Sequence, residues 1–108
     1  MSIWKWSNGR KKTGYEKLRI ISLWFFDCYI LRFKPGTHIP KHRDPVGDRK
    51  HYRLNIILKH AKAGGEFNCA NCIINWSRVK LFRPDKFKHS VTEVTDGTRY
   101  VLSIGVAI

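Results

Sequence analysis

The apolar positions of this chain fall in short runs of branched and aromatic residues, interrupted every few positions by Gly, Pro, Asn or Asp. That punctuation marks strands and turns, because branched and aromatic side chains fit a pleated surface while the interrupting residues suit turn conformations. The pattern predicts strands near 18–25, 28–34, 39–42, 52–59, 65–69, 72–76, 79–83, 88–95 and 98–107. The breaks between them read KPG, DPVGDRK, KAGG, CAN, RPD and TDG. No stretch carries a helical apolar period of useful length, except around residues 10–20. Residues 1–17, polar and basic with Trp4 and Trp6, read as a short arm or an edge strand, and residues 18–108 as the domain proper. Eight or nine short strands in one small domain imply an all-β sandwich or a barrel-like jelly roll.

Composition adds three things. A chain of 108 residues is one domain, and 43% hydrophobic residues suffice for a modest core. Twenty-one Lys and Arg against 8 Asp and Glu give a formal charge of +13. Such a field attracts polyanions, so a nucleic-acid or acidic partner stands beside the plainer reading of a solubilising surface. Trp4 and Trp6, set among Lys5, Arg10, Lys11 and Lys12, could stack on bases, although the four tryptophans, with Trp24 and Trp76, read first as apolar fillers. Three cysteines are too few, and odd in number, for a secreted disulfide framework. The opening MSIWKWSNGRKK has no apolar run of signal-peptide length, and LRIISLWFFDCYILRF is broken by Arg19, Asp27 and Arg32, so no membrane span is expected. A reducing, cytoplasmic setting is the expectation.

The candidate chemistry centres on PGTHIPKHRDP, which contains the triplet His42-Arg43-Asp44. In a strand, residues i and i+2 share a face, so His42 and Asp44 would converge on one point. Taken alone the triplet is a weak signal, for which a polar turn is the commoner explanation. A metal site needs a third ligand, and His89 at the start of a late strand offers one. Two histidines and one carboxylate on one face leave three positions open, the ligand set of non-haem Fe(II) oxygenases. Ten residues after His89, Arg99 sits in the apolar strand TRYVLSIGVAI. A buried arginine needs an anion, and its planar fork suits a carboxylate, so a dicarboxylic co-substrate would chelate iron at one end and meet Arg99 at the other. A surface arginine on an edge strand is the alternative.

The order HRD, then His, then Arg ten residues later, in an all-β chain, resembles the 2-oxoglutarate/Fe(II)-dependent dioxygenases. It is most similar to their aspartyl/asparaginyl β-hydroxylase-like and prolyl-hydroxylase-like branches. FKPGTHIPKHRDP, YRLNIIL, RVKLFRPDKFKHSV and GTRYVLSIGV carry the likeness over residues 28–107. The resemblance implies a minimal double-stranded β-helix, cupin-like, with few or no buttressing helices, which makes a homodimer plausible. It implies His42, Asp44 and His89 as iron ligands and Arg99 as the group holding the distal carboxylate of 2-oxoglutarate. In YRLN, Asn55 stands where these enzymes present an arginine to the co-substrate, and it is carried over as a hydrogen-bond donor. The implied reaction consumes 2-oxoglutarate and dioxygen, releases succinate and CO2, and hydroxylates a C–H bond. A polypeptide side chain is the preferred substrate, with a nucleobase next. A non-catalytic basic β-sandwich that binds nucleic acid is the rival reading. The charged loop 42–53 supplies Arg43, Arg49, Lys50 and Arg53 as substrate-facing candidates.

Other motifs claim less. Cys69-Ala-Asn-Cys72 reads as two strand residues flanking a tight turn in a hairpin, since zinc would need two further ligands at standard spacing. His38 reads as a loop residue at a pocket mouth, and His51 and His60 as solvated strand ends.

Overall fold

The fold was analysed in a computed structural model that describes residues 6–8, 14–44 and 47–108. Among these residues there are twelve strands and no helix. They are β1 (Trp6–Asn8), β2 (Glu16–Ser22), β3 (Phe26–Phe33), β4 (Ile39–His42), β5 (His51–Lys59), β6 (Ala63–Gly64), β7 (Phe67–Cys69), β8 (Cys72–Asn75), β9 (Val79–Phe82), β10 (His89–Val91), β11 (Val94–Asp96) and β12 (Arg99–Ala107). No helix long and apolar enough to cross a membrane occurs among the described residues.

One sheet runs β1-β2-β3-β12-β5-β9-β8, a second β4-β10-β7, and β11 pairs with β6. The last long strand lies between two early ones: β12 pairs antiparallel with β3 and with β5. Neighbours distant in sequence are the mark of jelly-roll winding, and the architecture is an all-β double-stranded β-helix.

Period-2 alternation sets what the barrel holds. Along β12, Arg99, Val101, Ser103 and Gly105 are buried while their neighbours are partly exposed. On β5 the inward positions include His51, Asn55 and Ile57. The interior therefore divides into two parts. Phe33, Ile39, Ile57, Val91, Val94 and Val101 form an apolar core, with Tyr15, Leu31, Ala61 and Phe67 packed against it. Each such buried side chain contributes about 1.5–3 kcal/mol relative to exposure. Thr37, His51, Asn55, His89, Arg99 and Ser103 are buried polar residues, each costly to bury unless hydrogen-bonded or paired.

Several boundaries differ from expectation. The anticipated strand 88–95 is two, β10 and β11, in different sheets; the break is fixed by Thr92 N–H donating to Glu66 O at 2.9 Å and Val94 N–H to Thr37 O at 2.9 Å. The anticipated strand 65–69 is strand only at its end, as β7, with the two-residue β6 lying before it. Trp6–Asn8 is an edge strand, paired with Glu16–Leu18. Trp6 lies under the Arg32 guanidinium, 4.0 Å from its ring centre, and Arg32 in turn makes two hydrogen bonds to the Glu16 carboxylate. The helical period considered around 10–20 is strand from Glu16 onward; its earlier part, like Trp4, Lys5, Arg10, Lys11, Lys12 and Pro45, lies outside the described residues. Trp24 and Trp76 are not core fillers. They occupy turns after β2 and β8 and are 78% and 65% exposed.

Candidate metal centre

β4 and β10 pair with His42 opposite His89, which brings the two imidazoles face to side with ring centres 4.2 Å apart. Asp44 lies two residues beyond the end of β4, where its N–H donates to Pro84 O at 2.7 Å. The anticipated convergence of His42 and Asp44 is thus reached past the strand end, through this tether. Asp44 Oδ2 stands 3.4 Å from His42 Nε2 and 3.3 Å from His89 Nε2. The other ring nitrogens face backbone carbonyls: His42 Nδ1 is 2.7 Å from Pro40 O and His89 Nδ1 3.4 Å from Phe87 O. Protons on Nδ1 leave both Nε2 lone pairs aimed at the carboxylate, the orientation metal-ligating histidines adopt.

One ligand atom from each of His42, Asp44 and His89 lies within 4.8 Å of the others. Donors in adjacent positions around an ion, each at about 2.1 Å, stand about 3 Å apart. The Nε2–Oδ2 separations are close to that, and two imidazoles with one carboxylate suit a first-row divalent metal such as iron. The residues fit the group.

The triad faces a cavity of about 310 Å³. Part of its lining is apolar, from Leu31, Ile39, Phe67, Phe82 and Val91; the rest is polar, from Lys17, Asp27, His51, Arg53, Asn55 and Ser103 with the triad. Arg53 organises the polar lining. Its Nη2 donates to both Asp27 oxygens at 2.8 and 2.9 Å, its Nη1 donates to Ser103 Oγ at 2.7 Å, and Nη2 also approaches His51 Nε2 at 3.3 Å. Gly105 is required beneath it, because a Cβ there would collide with the guanidinium. Burial, then the Arg53 charge, push the His51 pKa below its ordinary value, against the opposing pull of Asp27 and Asp44. Two buried atoms of this lining, His51 Nδ1 and Asn55 Oδ1, make no hydrogen bond.

Arg99 is inside the barrel, 2% exposed, on the same face of β12 as Ser103. Its cavity, however, is a second one of about 500 Å³, with His60, Lys62, Glu66, Asn75 and Lys80; Phe67 lines both. Its guanidinium lies 5.0 Å from the Phe33 ring centre, its Nε has no hydrogen-bond partner, and burial lowers its pKa to about 10. Gly65 makes room for the side chain: at φ +69°, a Cβ there would come within 2.9 Å of Val94 Cγ2 and 3.2 Å of Arg99 Cδ.

Of the four loop residues expected to face a substrate, Arg53 reaches the triad cavity, and it is turned toward Asp27. Arg43 lines a separate groove with Lys41 and Lys88. Arg49 is exposed and donates to Trp24 O at 2.7 Å. Lys50 is exposed, its backbone paired with Ile108. His38 is exposed but does not line the triad cavity. His60 is exposed, as expected, whereas His51, expected at a solvated end, is buried because it begins β5 facing inward. Asp27 and Ser103 were not anticipated as site residues. The available signal was a polar residue interrupting an otherwise apolar strand at an inward position. Cys69 and Cys72 do flank a turn, but not in a hairpin, since β7 pairs with β10 and β8 with β9. Both are free thiols, and burial, then Cys69, push Cys72 up to about 11, which disfavours the thiolate a metal or redox role needs.

The profile of the aspartyl/asparaginyl β-hydroxylase family matches residues 15–107. The chain belongs to this family. A relative, the ornithine lipid ester-linked acyl 2-hydroxylase of Rhizobium tropici, is 30% identical over 73 residues, 67% of this chain. The chain spans 26% of that relative's length. Among solved structures, KdgF from a Halomonas species superposes with a TM-score of 0.65 at 13% identity, covering 94% of this chain and 84% of that one. A cupin-2 domain protein from Rhodospirillum rubrum gives 0.64 at 14% identity, covering 95% and 69%. At such identities the structural likeness speaks for the fold alone. Family and relative together make this a hydroxylase-family domain.

Proposed function

We propose that the chain is an Fe(II)- and 2-oxoglutarate-dependent hydroxylase domain. The observation that carries this reading is the convergence of two imidazole nitrogens and one carboxylate oxygen, all within 4.8 Å, on the wall of a cavity. His42, Asp44 and His89 would hold the iron, with Pro40 O and Phe87 O fixing the two rings. Arg99 would meet the distal carboxylate of 2-oxoglutarate. Its burial without a protein anion supports this, since a charge so placed is costly until paired. Phe67, on both cavities, would lie beside the co-substrate. Asn55 would contribute its amide, which a half-turn about its last bond presents as a donor. When bound, iron and 2-oxoglutarate supply the activation of dioxygen, with succinate and CO2 as co-products of substrate hydroxylation. The chain's own residues orient the reactants, and Leu31, Ile39, Phe82 and Val91 keep that side of the cavity dry.

For the substrate, we propose the acyl chain of a lipid. The acyl 2-hydroxylation for which the Rhizobium relative is named and the apolar part of the triad cavity's lining favour it. An amino-acid side chain is the second reading, favoured by the family description. Anaerobic titration with Fe(II) and 2-oxoglutarate tests the catalytic core. A weak visible charge-transfer band is expected from the native protein and is lost in His89→Ala. A native protein that binds neither under reducing conditions sinks the proposal.

A further inference from the structure

The turn joining β2 to β3 is the most exposed apolar feature near the triad cavity. Leu23, Trp24 and Phe25 are 50%, 78% and 41% exposed, and Ile20 and Ile21 before them are 40% and 41% exposed. A soluble surface leaves single apolar residues exposed without consequence; a run of this length marks a contact. The turn is bonded to the barrel: Leu23 N–H donates to Phe26 O at 2.7 Å, and Ala107 N–H donates to Phe25 O at 2.8 Å.

Two cations accompany it. Arg49 donates to Trp24 O at 2.7 Å and its guanidinium lies 5.8 Å from the Trp24 ring centre. Lys50 pairs through its backbone with Ile108, next to Ala107. The nearby opposing charges in sequence are Asp48 and Asp27, the latter paired with Arg53, within a chain of net +13. The turn also sits at the triad end of the barrel. Asp27, two residues after Phe25, and His51, next to Lys50, both line the triad cavity.

We propose that Leu23, Trp24 and Phe25, with Arg49 and Lys50, dock this domain on an anionic bilayer surface. Tryptophan and phenylalanine suit the headgroup–acyl boundary, and each basic residue near an anionic surface adds attraction. The charge favours this occupant over a second copy of the chain, which would oppose Arg49 and Lys50 to like charges. Docking here brings the cavity mouth to the bilayer, where an acyl chain lies. The inference thus rests in part on the proposed lipid substrate and gives that proposal a mechanical route.

The test is co-sedimentation of the full chain with vesicles of phosphatidylcholine alone or with one-third phosphatidylglycerol. The native protein and Trp76→Ser, an exposed-aromatic control on a different turn, are expected to bind the anionic vesicles. Leu23→Ser/Trp24→Ser is expected to bind at least about ten-fold more weakly. Arg49→Gln/Lys50→Gln is expected to weaken binding and to reduce its salt sensitivity. The inference is overturned if Leu23→Ser/Trp24→Ser binds like the native protein, since net charge alone would then account for adhesion. Trp24-dependent dimers in light scattering, without vesicle binding, would assign the turn to a second copy and overturn it equally. The iron–2-oxoglutarate band, recorded on the same variants, reports the catalytic reading separately. Docking without chelation sinks the hydroxylase mechanism alone, and chelation without docking sinks this inference alone.

Discussion

The two cavities of this barrel handle charge in opposite ways. At the triad end, Arg53 is matched by both oxygens of Asp27 and by Ser103, and Asp44 stands between two histidines. At the other end, the buried Nε of Arg99 has no hydrogen-bond partner among the described residues, and its neighbours Lys62 and Lys80 add to the positive field around Glu66. The field registers on His60, whose pKa is lowered by partial burial and then by Arg78, Arg99 and Lys80. One buried arginine is balanced by the protein and the other is not; in the proposed mechanism the second counter-charge comes from the co-substrate.

The largest effect is expected where that balance is missing. Arg99→Leu removes the unmatched charge and replaces it with an apolar side chain over Phe33. In the proposed mechanism, 2-oxoglutarate affinity then falls about 100-fold or more, the loss of a charge-assisted fork worth about 3 kcal/mol. Stability without co-substrate stays level or rises, because a buried unpaired cation has gone. Thermal melts with and without 2-oxoglutarate, under anaerobic Fe(II), read both. Unchanged 2-oxoglutarate stabilisation in the variant would remove Arg99 from the co-substrate site.

How far this contrast was legible in the sequence depends on the residue. The burial of Arg99 was legible, since it stands in the almost wholly apolar strand TRYVLSIGVAI, and the structure sets it inward rather than on a surface edge. His42 and His89 followed from strand placement and were brought opposite one another by the β4–β10 register. The Arg53–Asp27 pair was not legible, because the two residues are 26 apart and only the β3–β12–β5 order makes them neighbours across Gly105. Arg53 was accordingly expected to face a substrate. The division of 88–95 was also hidden: Ser90 to Val94 is uninterrupted strand composition, and only hydrogen bonds from two other segments, at Glu66 and Thr37, divide it.

The next effect tests the balanced end. Asp27→Ala strands the Arg53 guanidinium and is expected to cost about 2 kcal/mol; the side chains are 16% and 25% exposed, so a fully buried value is reduced for screening. Adding Arg53→Met should recover a good part of that loss, giving a coupling of about 1 kcal/mol in a urea double-mutant cycle. Purely additive losses would mean that the pair merely fills space. Fe(II) binding in both variants should persist, because neither residue touches His42, Asp44 or His89 through the bonds described above.

The smallest effect concerns His51, which links the balanced wall to pH. Its pKa in the folded chain is lowered by burial and then by Arg53, so between that value and the ordinary 6.5 the unfolded chain binds more protons. Stability therefore rises with pH in this window and is lost as pH falls from about 6.5 through the folded value. Glu16, lowered chiefly by Arg32, and Asp85, lowered chiefly by Arg83, act with the same sign. Their loss begins only as pH approaches the ordinary carboxylate values of 4.5 and 3.8. The two windows can thus be separated in urea melts at pH 7.5, 6, 5 and 4. His51→Asn should flatten the upper part of the stability curve and leave the part below pH 5 unchanged. If the slope near pH 6 survives the substitution, another histidine carries it. His60, whose pKa is lowered in the same sense, is the one to examine.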